Sequence, residues 1–150
     1  TSVGGMEHIS GVFERRTSRI KRMVGAIDCS HIKVHPKQEE QGLYINRKQY
    51  CSVLLSAVCD HRCFFMAVDT GFPGKMGNSR ALQYTSWKHA MRMFGNAGYF
   101  LYGDAGCPLK RWLLAGYRNL AKCTQDQLKF NTHGSRGRVI IECAFGKLKG

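Results

Sequence analysis

From Met23 to Val34 an apolar run passes into alternation, with Ile32 and Val34 on one side and His31 and Lys33 on the other, which is the two-residue period of a strand. Asp28 lies in the middle of it. His35 to Gly42 is polar, holds one proline and two adjacent glutamates, and reads as a loop. Tyr50 to Cys59 and Cys63 to Val68 are β-rich runs flanking Asp60-His61-Arg62, which predicts a hairpin closed by Gly71-Phe72-Pro73-Gly74. Tyr84, Trp87, Met91 and Phe94 then recur at the spacing of one helix face, with Asn78 placed as N-cap and Gly95 just past the end. Gly98 to Gly103 reads as a buried strand ending at Asp104. Periodicity does not decide between strand and helix for Leu109 to Tyr117. Ser135 to Lys149 reads as a helix with Ile141, Phe145 and Leu148 toward a core and Glu142 beside that stripe. Three antiparallel strands, a helix, a strand, a short unit and a helix together make an α/β layered arrangement.

Composition adds a partner class. The 150 residues carry 23 Lys and Arg against 10 Asp and Glu, a formal net charge of +13, which points to a polyanion and first of all to nucleic acid. Arg15, Arg16, Arg19, Lys21 and Arg22 cluster before the first strand, either as a solvated helix face or as a phosphate-contacting segment. Neither repeats nor linkers divide the chain. We expect a basic lead-in over residues 1–22, for which a helix is one reading, and one domain over 23–150, truncated at both ends relative to a longer protein. Seven cysteines, at positions 29, 51, 59, 63, 107, 123 and 143, follow no disulfide framework and favour a reducing compartment. No run approaches the roughly 18–20 apolar residues of a membrane span.

Three of the few acids stand in apolar surroundings: Asp28, Asp104 and Glu142. Burying a carboxylate is costly unless a partner or a metal compensates it. Taken singly each has an ordinary explanation: a strand or turn residue for Asp28, a turn after a strand for Asp104, and an ion pair with Arg138 four residues earlier for Glu142. Jointly they can converge if the last helix packs beside the two strands, and an all-oxygen trio suits a hard divalent cation. Asp69 is a reserve ligand. Cys59-Asp-His-Arg-Cys63 suggests zinc, but no clean second pair of ligands accompanies it.

The segments carrying these residues also carry a likeness. Val24-Gly-Ala-Ile-Asp28-Cys-Ser-His31-Ile, Tyr44-Ile-Asn-Arg47-Lys48, Ala57-Val-Cys-Asp60, Gly71-Phe-Pro-Gly74, Asn78-Ser-Arg80, Tyr102-Gly-Asp104 with Pro108-Leu109 and Trp112-Leu-Leu, and Phe130-Asn131 through Arg138 and Glu142 to Ala144-Phe-Gly146 occur in that order over about residues 20–150. In this the chain resembles the DDE nuclease domain of PIF/Harbinger transposases and of the nucleases derived from them in animals and plants. The resemblance implies an RNase H-like fold, a mixed sheet with antiparallel first three strands flanked by helices. It implies Asp28, Asp104 and Glu142 as catalytic, metal-binding residues for Mg²⁺ or Mn²⁺, and hydrolysis of DNA phosphodiesters with strand transfer in transposing members. It further implies DNA contact or carboxylate orientation by His31, Lys33, Arg47, Lys48, Arg80 and Arg138, a Myb-like partner protein, room for a homo-oligomer, no membrane partner, and a nuclear location. Asn78 departs from the Asp common at that position. A domesticated or decaying copy that binds DNA without cutting it is therefore the alternative.

Overall fold

In the computed structural model, which describes residues 3–17 and 19–150, the alternation after Met23 becomes β1 (Met23–Lys33), buried through its first half and half-exposed beyond Asp28. It is the middle strand of a five-stranded sheet ordered β3-β2-β1-β4-β5. β2 (Ser52–Cys59) and β3 (Phe65–Pro73) form the expected antiparallel hairpin beside it, so the first three strands alternate in direction. β4 (Phe100–Gly103) and β5 (Leu113–Ala115) lie on its other side, both parallel. The mixed sheet flanked by helices is consistent with the RNase H-like class. β5 also resolves the undecided stretch after Leu109 as a strand.

Helices cover both faces. On one, Val24, Ile27, Val58, Leu101 and Leu113 meet Leu82, Trp87, Met91 and Met6. On the other, Met23, Ala26, Ala57 and Tyr102 meet Phe13, Ile140, Ile141, Ala144 and Phe145. Met6 and Phe13 belong to α1 (Val3–Thr17), which therefore contributes to both clusters. Its terminus is tied down by the Thr17 hydroxyl, which accepts from the Ile20 amide, and by Ser10 Oγ, which accepts from the Arg22 amide.

The helix expected to run unbroken from Asn78 is two: α3 (Asn78–Tyr84) and α4 (Lys88–Asn96), after the short α2 (Gln41–Tyr44). Thr85 is extended at the break, and the Asp69 carboxylate accepts the Ser86 amide at 2.7 Å, fixing the chain there. Tyr84 accordingly points away from the core, 60% exposed, while Trp87 and Met91 stay buried. Asn78 is the first helical residue, not the cap, which is Gly77 without a side-chain bond. The stop signal falls on Gly98, not Gly95: with φ +82° at Gly98, its amide donates to the Gly95 carbonyl and the Tyr99 amide to that of Phe94, a Schellman ending.

The last helix, α5 (Gln125–Lys149), begins ten residues before the expected Ser135, behind a reciprocal Thr124–Gln127 capping box. Its buried positions are Gly134, Gly137, Ile140, Ile141, Ala144 and Phe145, one stripe of a 3.6-residue period. Leu148 continues that stripe but is exposed, in the last turn of the helix, beyond the part that packs on the sheet. Gly134 sits directly over the Tyr102 ring, where an added Cβ would come within 2.0 Å of Cζ, so the missing side chain sets how closely α5 approaches β4.

Candidate nuclease site

β1 and β4 are adjacent and parallel with Ala26 opposite Tyr102, and both residues face the α5 side of the sheet. Asp28 and Asp104 each follow two residues later. The register therefore brings them level on neighbouring strands, which lie about 4.8 Å apart in a sheet, Asp28 midway along β1 and Asp104 just past the carboxyl end of the shorter β4. Crevices at the carboxyl ends of parallel strands are where open α/β sheets bind ligands. Asp104 stands one residue past β4, and its Oδ1 accepts the Gly106 amide at 3.0 Å and the Cys107 thiol at 3.5 Å. Burial, aided by the charge of Asp104, pushes that thiol up to about 12, so it remains a donor.

Asp28 is bound to α5. Its Oδ1 accepts the Cys29 amide at 2.8 Å, and its Oδ2 accepts Nη2 of Arg138 at 3.1 Å. The same Nη2 lies 3.8 Å from Oε1 of Glu142, one turn further along the helix. A single guanidinium thus spans two of the three carboxylates, and its own Nε is buried without a hydrogen-bond partner. Asp28 and Arg138 are mostly enclosed, while the Glu142 side chain is 59% exposed. Burial holds the Asp28 carboxyl above the usual carboxylate range, with the nearby charge of Asp104 acting in the same direction, despite the Cys29 amide and Arg138. The pocket is short of positive charge even with its arginine in place.

Among the described residues no group of three or more His, Cys, Asp or Glu side chains is gathered closely enough to hold a metal ion. The trio nevertheless suits a cation in two respects: its donors are all carboxylate oxygens, as hard divalent ions require, and a cationic side chain already lies between Asp28 and Glu142. All seven cysteines are free thiols. Asp69 serves the α3–α4 break and lines neither groove beside Asp104.

Two grooves meet at Asp104. One, of about 410 Å³, is lined by His31, Arg47, Lys75, Asn78 and Ser79. Behind it His31 Nδ1 is 2.8 Å from Ser52 Oγ, which also accepts from the buried Asn46 amide. Burial lowers the His31 pKa, as do Lys149 and Lys48, so its imidazole is neutral at neutral pH and is a hydrogen-bonding group there, not a cation. The other groove, of about 470 Å³, is bounded by Tyr102, Tyr117, Arg118, Asn131 and Arg138. Of the basic residues expected at DNA, His31, Arg47 and Arg138 line one groove or the other. Lys33, Lys48 and Arg80 are exposed and line neither. Lys75, Tyr117 and Arg118 escaped sequence reasoning. Only the adjacency of a tyrosine and an arginine in a stretch without clear periodicity hinted at the last two.

Such a sheet, with one acid on its middle strand, one just past the strand beside it and one on the closing helix, is the pattern of a phosphoryl-transfer nuclease. The family model described as DDE superfamily endonuclease matches residues 27–150, and the chain belongs to that family. A human protein named "Putative nuclease HARBI1" is 28% identical over 126 residues, 84% of this chain and 36% of that protein. Its rat counterpart is 33% identical over 120 residues, 80% of this chain and 34% of that one. "Protein ALP1-like" of Arabidopsis thaliana is 27% identical over 159 residues, 96% of this chain and 39% of that protein. The chain thus spans between about a third and two fifths of the length of these relatives. No solved structure matches it. It is a Harbinger-related, transposase-derived nuclease domain of the DDE type, and among the described residues no helix is long and apolar enough to cross a membrane.

Proposed function

We propose that this domain cuts DNA phosphodiesters with Mg²⁺ or Mn²⁺ held by Asp28, Asp104 and Glu142. The observation that carries the reading is the Arg138 guanidinium shared by Asp28 and Glu142, beside an Asp104 that the parallel register sets level with Asp28. Among the described residues Arg138 is the one ion-pair partner of both Asp28 and Glu142, carboxylates far apart in sequence. Bound there, divalent ions supply activation of the attacking oxygen and stabilisation of the leaving oxygen in an in-line displacement. Arg47 and Lys75 line the approach and offer positive charge to the phosphates on either side of the cut. His31, Lys33, Lys48 and Arg80 add polar or positive surface. Arg138 holds Asp28 in place. Strand transfer, a Myb-like partner that supplies sequence recognition, self-association and a nuclear location belong to the same proposal at the level of the whole protein.

The test is nicking of supercoiled plasmid in Mg²⁺ and in Mn²⁺ by the parent and by Asp104→Asn. Loss of cutting in the variant, with unchanged folding, is the expected result; equal cutting by both would remove Asp104 from the chemistry. A second reading has one specific observation behind it. Asn78 lines the Asp104 groove where the family commonly has Asp, and an amide there subtracts a negative charge from the metal site. A DNA-binding module without chemistry follows if salt-sensitive binding persists while neither metal supports cutting, and if Asn78→Asp restores it.

A further inference from the structure

Tyr117 is 47% exposed, yet it is held as firmly as a core residue. The Asn131 side chain grips its backbone from both sides, Oδ1 accepting the Tyr117 amide at 2.7 Å and Nδ2 donating to its carbonyl at 3.0 Å. Its ring stands edge-on to Phe130, with centroids 5.8 Å apart and an interplanar angle of 75°, and Phe130 in turn leans on Tyr102 at 5.7 Å. Next to it Arg118 is pinned by a hydrogen bond from Nε to the Ala105 carbonyl, the residue following Asp104. The groove these residues bound, about 470 Å³, opens beside Asp104. The ring is thus seated against Phe130 on a fixed backbone while about half of the residue stays open to solvent.

We propose that this groove is a nucleotide subsite, receiving one unpaired nucleotide of the DNA strand adjacent to the phosphodiester at Asp104, with its base stacked on Tyr117 and its phosphate met by Arg118. This rests on the nuclease reading above and adds a substrate feature to it. Three observations favour an unpaired nucleotide over a duplex. The volume is that of a small-molecule pocket. A base inside a duplex presents no face to a side chain unless it leaves the stack. The combination of a rigid aromatic face with a neighbouring guanidinium is the usual means of holding single-stranded bases without reading their sequence. The basic groove on the other side of Asp104 has no Phe, Tyr or Trp among its lining residues, so the two sides of the cut differ: charge and polar groups on one, a phenol face beside a guanidinium on the other.

The test needs no cleavage. Binding is measured without metal to a duplex oligonucleotide and to the same duplex carrying one unpaired 2-aminopurine, for the parent, Tyr117→Ala and Tyr117→Phe. The parent should prefer the unpaired substrate by about five- to a hundredfold, the range of base–aromatic stacking, with quenched 2-aminopurine fluorescence. Tyr117→Ala should erase both the preference and the quenching while still binding the duplex, and Tyr117→Phe should keep both. A preference that survives Tyr117→Ala, or a parent with none, overturns the subsite and leaves the nuclease reading standing. Failure to bind either oligonucleotide overturns the nuclease reading, and the subsite with it.

Discussion

Two aspartates of the sheet each meet an arginine, and their surroundings drive them in opposite directions. At the β2–β3 turn, Asp60 receives everything locally: Oδ1 accepts the amides of Arg62 and Phe64 at 2.8 and 3.1 Å, and Oδ2 accepts Nε and Nη2 of Arg62 at 3.1 and 2.9 Å. Burial alone would raise its pKa, but the Arg62 side chain and the two amides override that and hold it below the ordinary range. Midway along β1, Asp28 has one amide and one guanidinium nitrogen, the latter from 110 residues away and shared with Glu142. There burial and Asp104 prevail, and the pKa rises. A carboxylate that shapes a turn is fully partnered by its own segment. The one that we propose shares an exchangeable cation is left underserved.

The largest effect should come from neutralising the two in turn. Asp28→Asn is expected to reduce metal-dependent cutting on the order of 10³-fold or more, the scale on which loss of a group central to the transition state is felt. Asp60→Asn should leave the cutting rate alone. Plasmid nicking under identical Mn²⁺ concentration checks both, and comparable losses would erase the distinction between the two sites.

Stability should sort them the other way. Asp60→Ala removes the acceptor of the Arg62 and Phe64 amides, two hydrogen bonds that together contribute about 1–3 kcal/mol, and should lower the Tm by roughly 3–10 °C. Asp28→Asn should match or exceed the parent at pH 7, since it removes a charge the fold resists. Gly134→Ala breaks only the long-range arm of the comparison. A Cβ there meets the Tyr102 ring at 2.0 Å, so α5 must back away from β4 and take Arg138 with it. The expected loss is about 1–3 kcal/mol, partly regained when Tyr102→Leu is added, with the Asp60 turn untouched in hydrogen exchange.

A smaller effect, about 1–2 kcal/mol in metal-free buffer, should follow Arg138→Gln, because two carboxylates lose the cation between them. Added Mn²⁺ should then raise the Tm of this variant by more than it raises that of the parent. An equal rise in both would mean that Arg138 and a metal do not serve the same charges.

Much of this was legible in the sequence, and the failures have physical causes. Asp28 stood out because an acid is depleted from apolar strand segments, and the hairpin followed from two β-rich runs on a three-residue polar turn. The first ten residues of α5 were hidden because Asn131, Thr132, His133 and Gly134 are poor helix formers whose placement is decided by packing on Tyr102. The break at Thr85 was hidden for the converse reason. The spacing of Tyr84, Trp87, Met91 and Phe94 fits one helix, and what stops it is an Asp69 hydrogen bond from a distant strand. At the site, sequence could pair Arg138 with Glu142 four residues on, but not with Asp28 across the fold. Tyr117 and Arg118 acquire their meaning only from Asn131 and Ala105, which no local pattern brings to them.

The finest test is of sign, and it uses pH. Asp28 has its folded pKa raised, so its contribution to stability is fully present below about 3.8, where both states are protonated, and is lost as pH rises through the folded value and the buried group must charge. Asp60 has its folded pKa lowered, so its contribution is present above about 3.8 and is lost as pH falls through the folded value. Urea midpoints taken from pH 3 to 7 should therefore respond oppositely. Relative to the parent, Asp28→Asn should gain stability across the upper part of that range, and Asp60→Asn should lose it there and converge on the parent toward pH 3. Curves that shift the same way in both variants would mean that Arg138 neutralises Asp28 as completely as Arg62 neutralises Asp60. The middle of β1 would then hold an ordinary ion pair, with no surplus negative charge for a metal to answer.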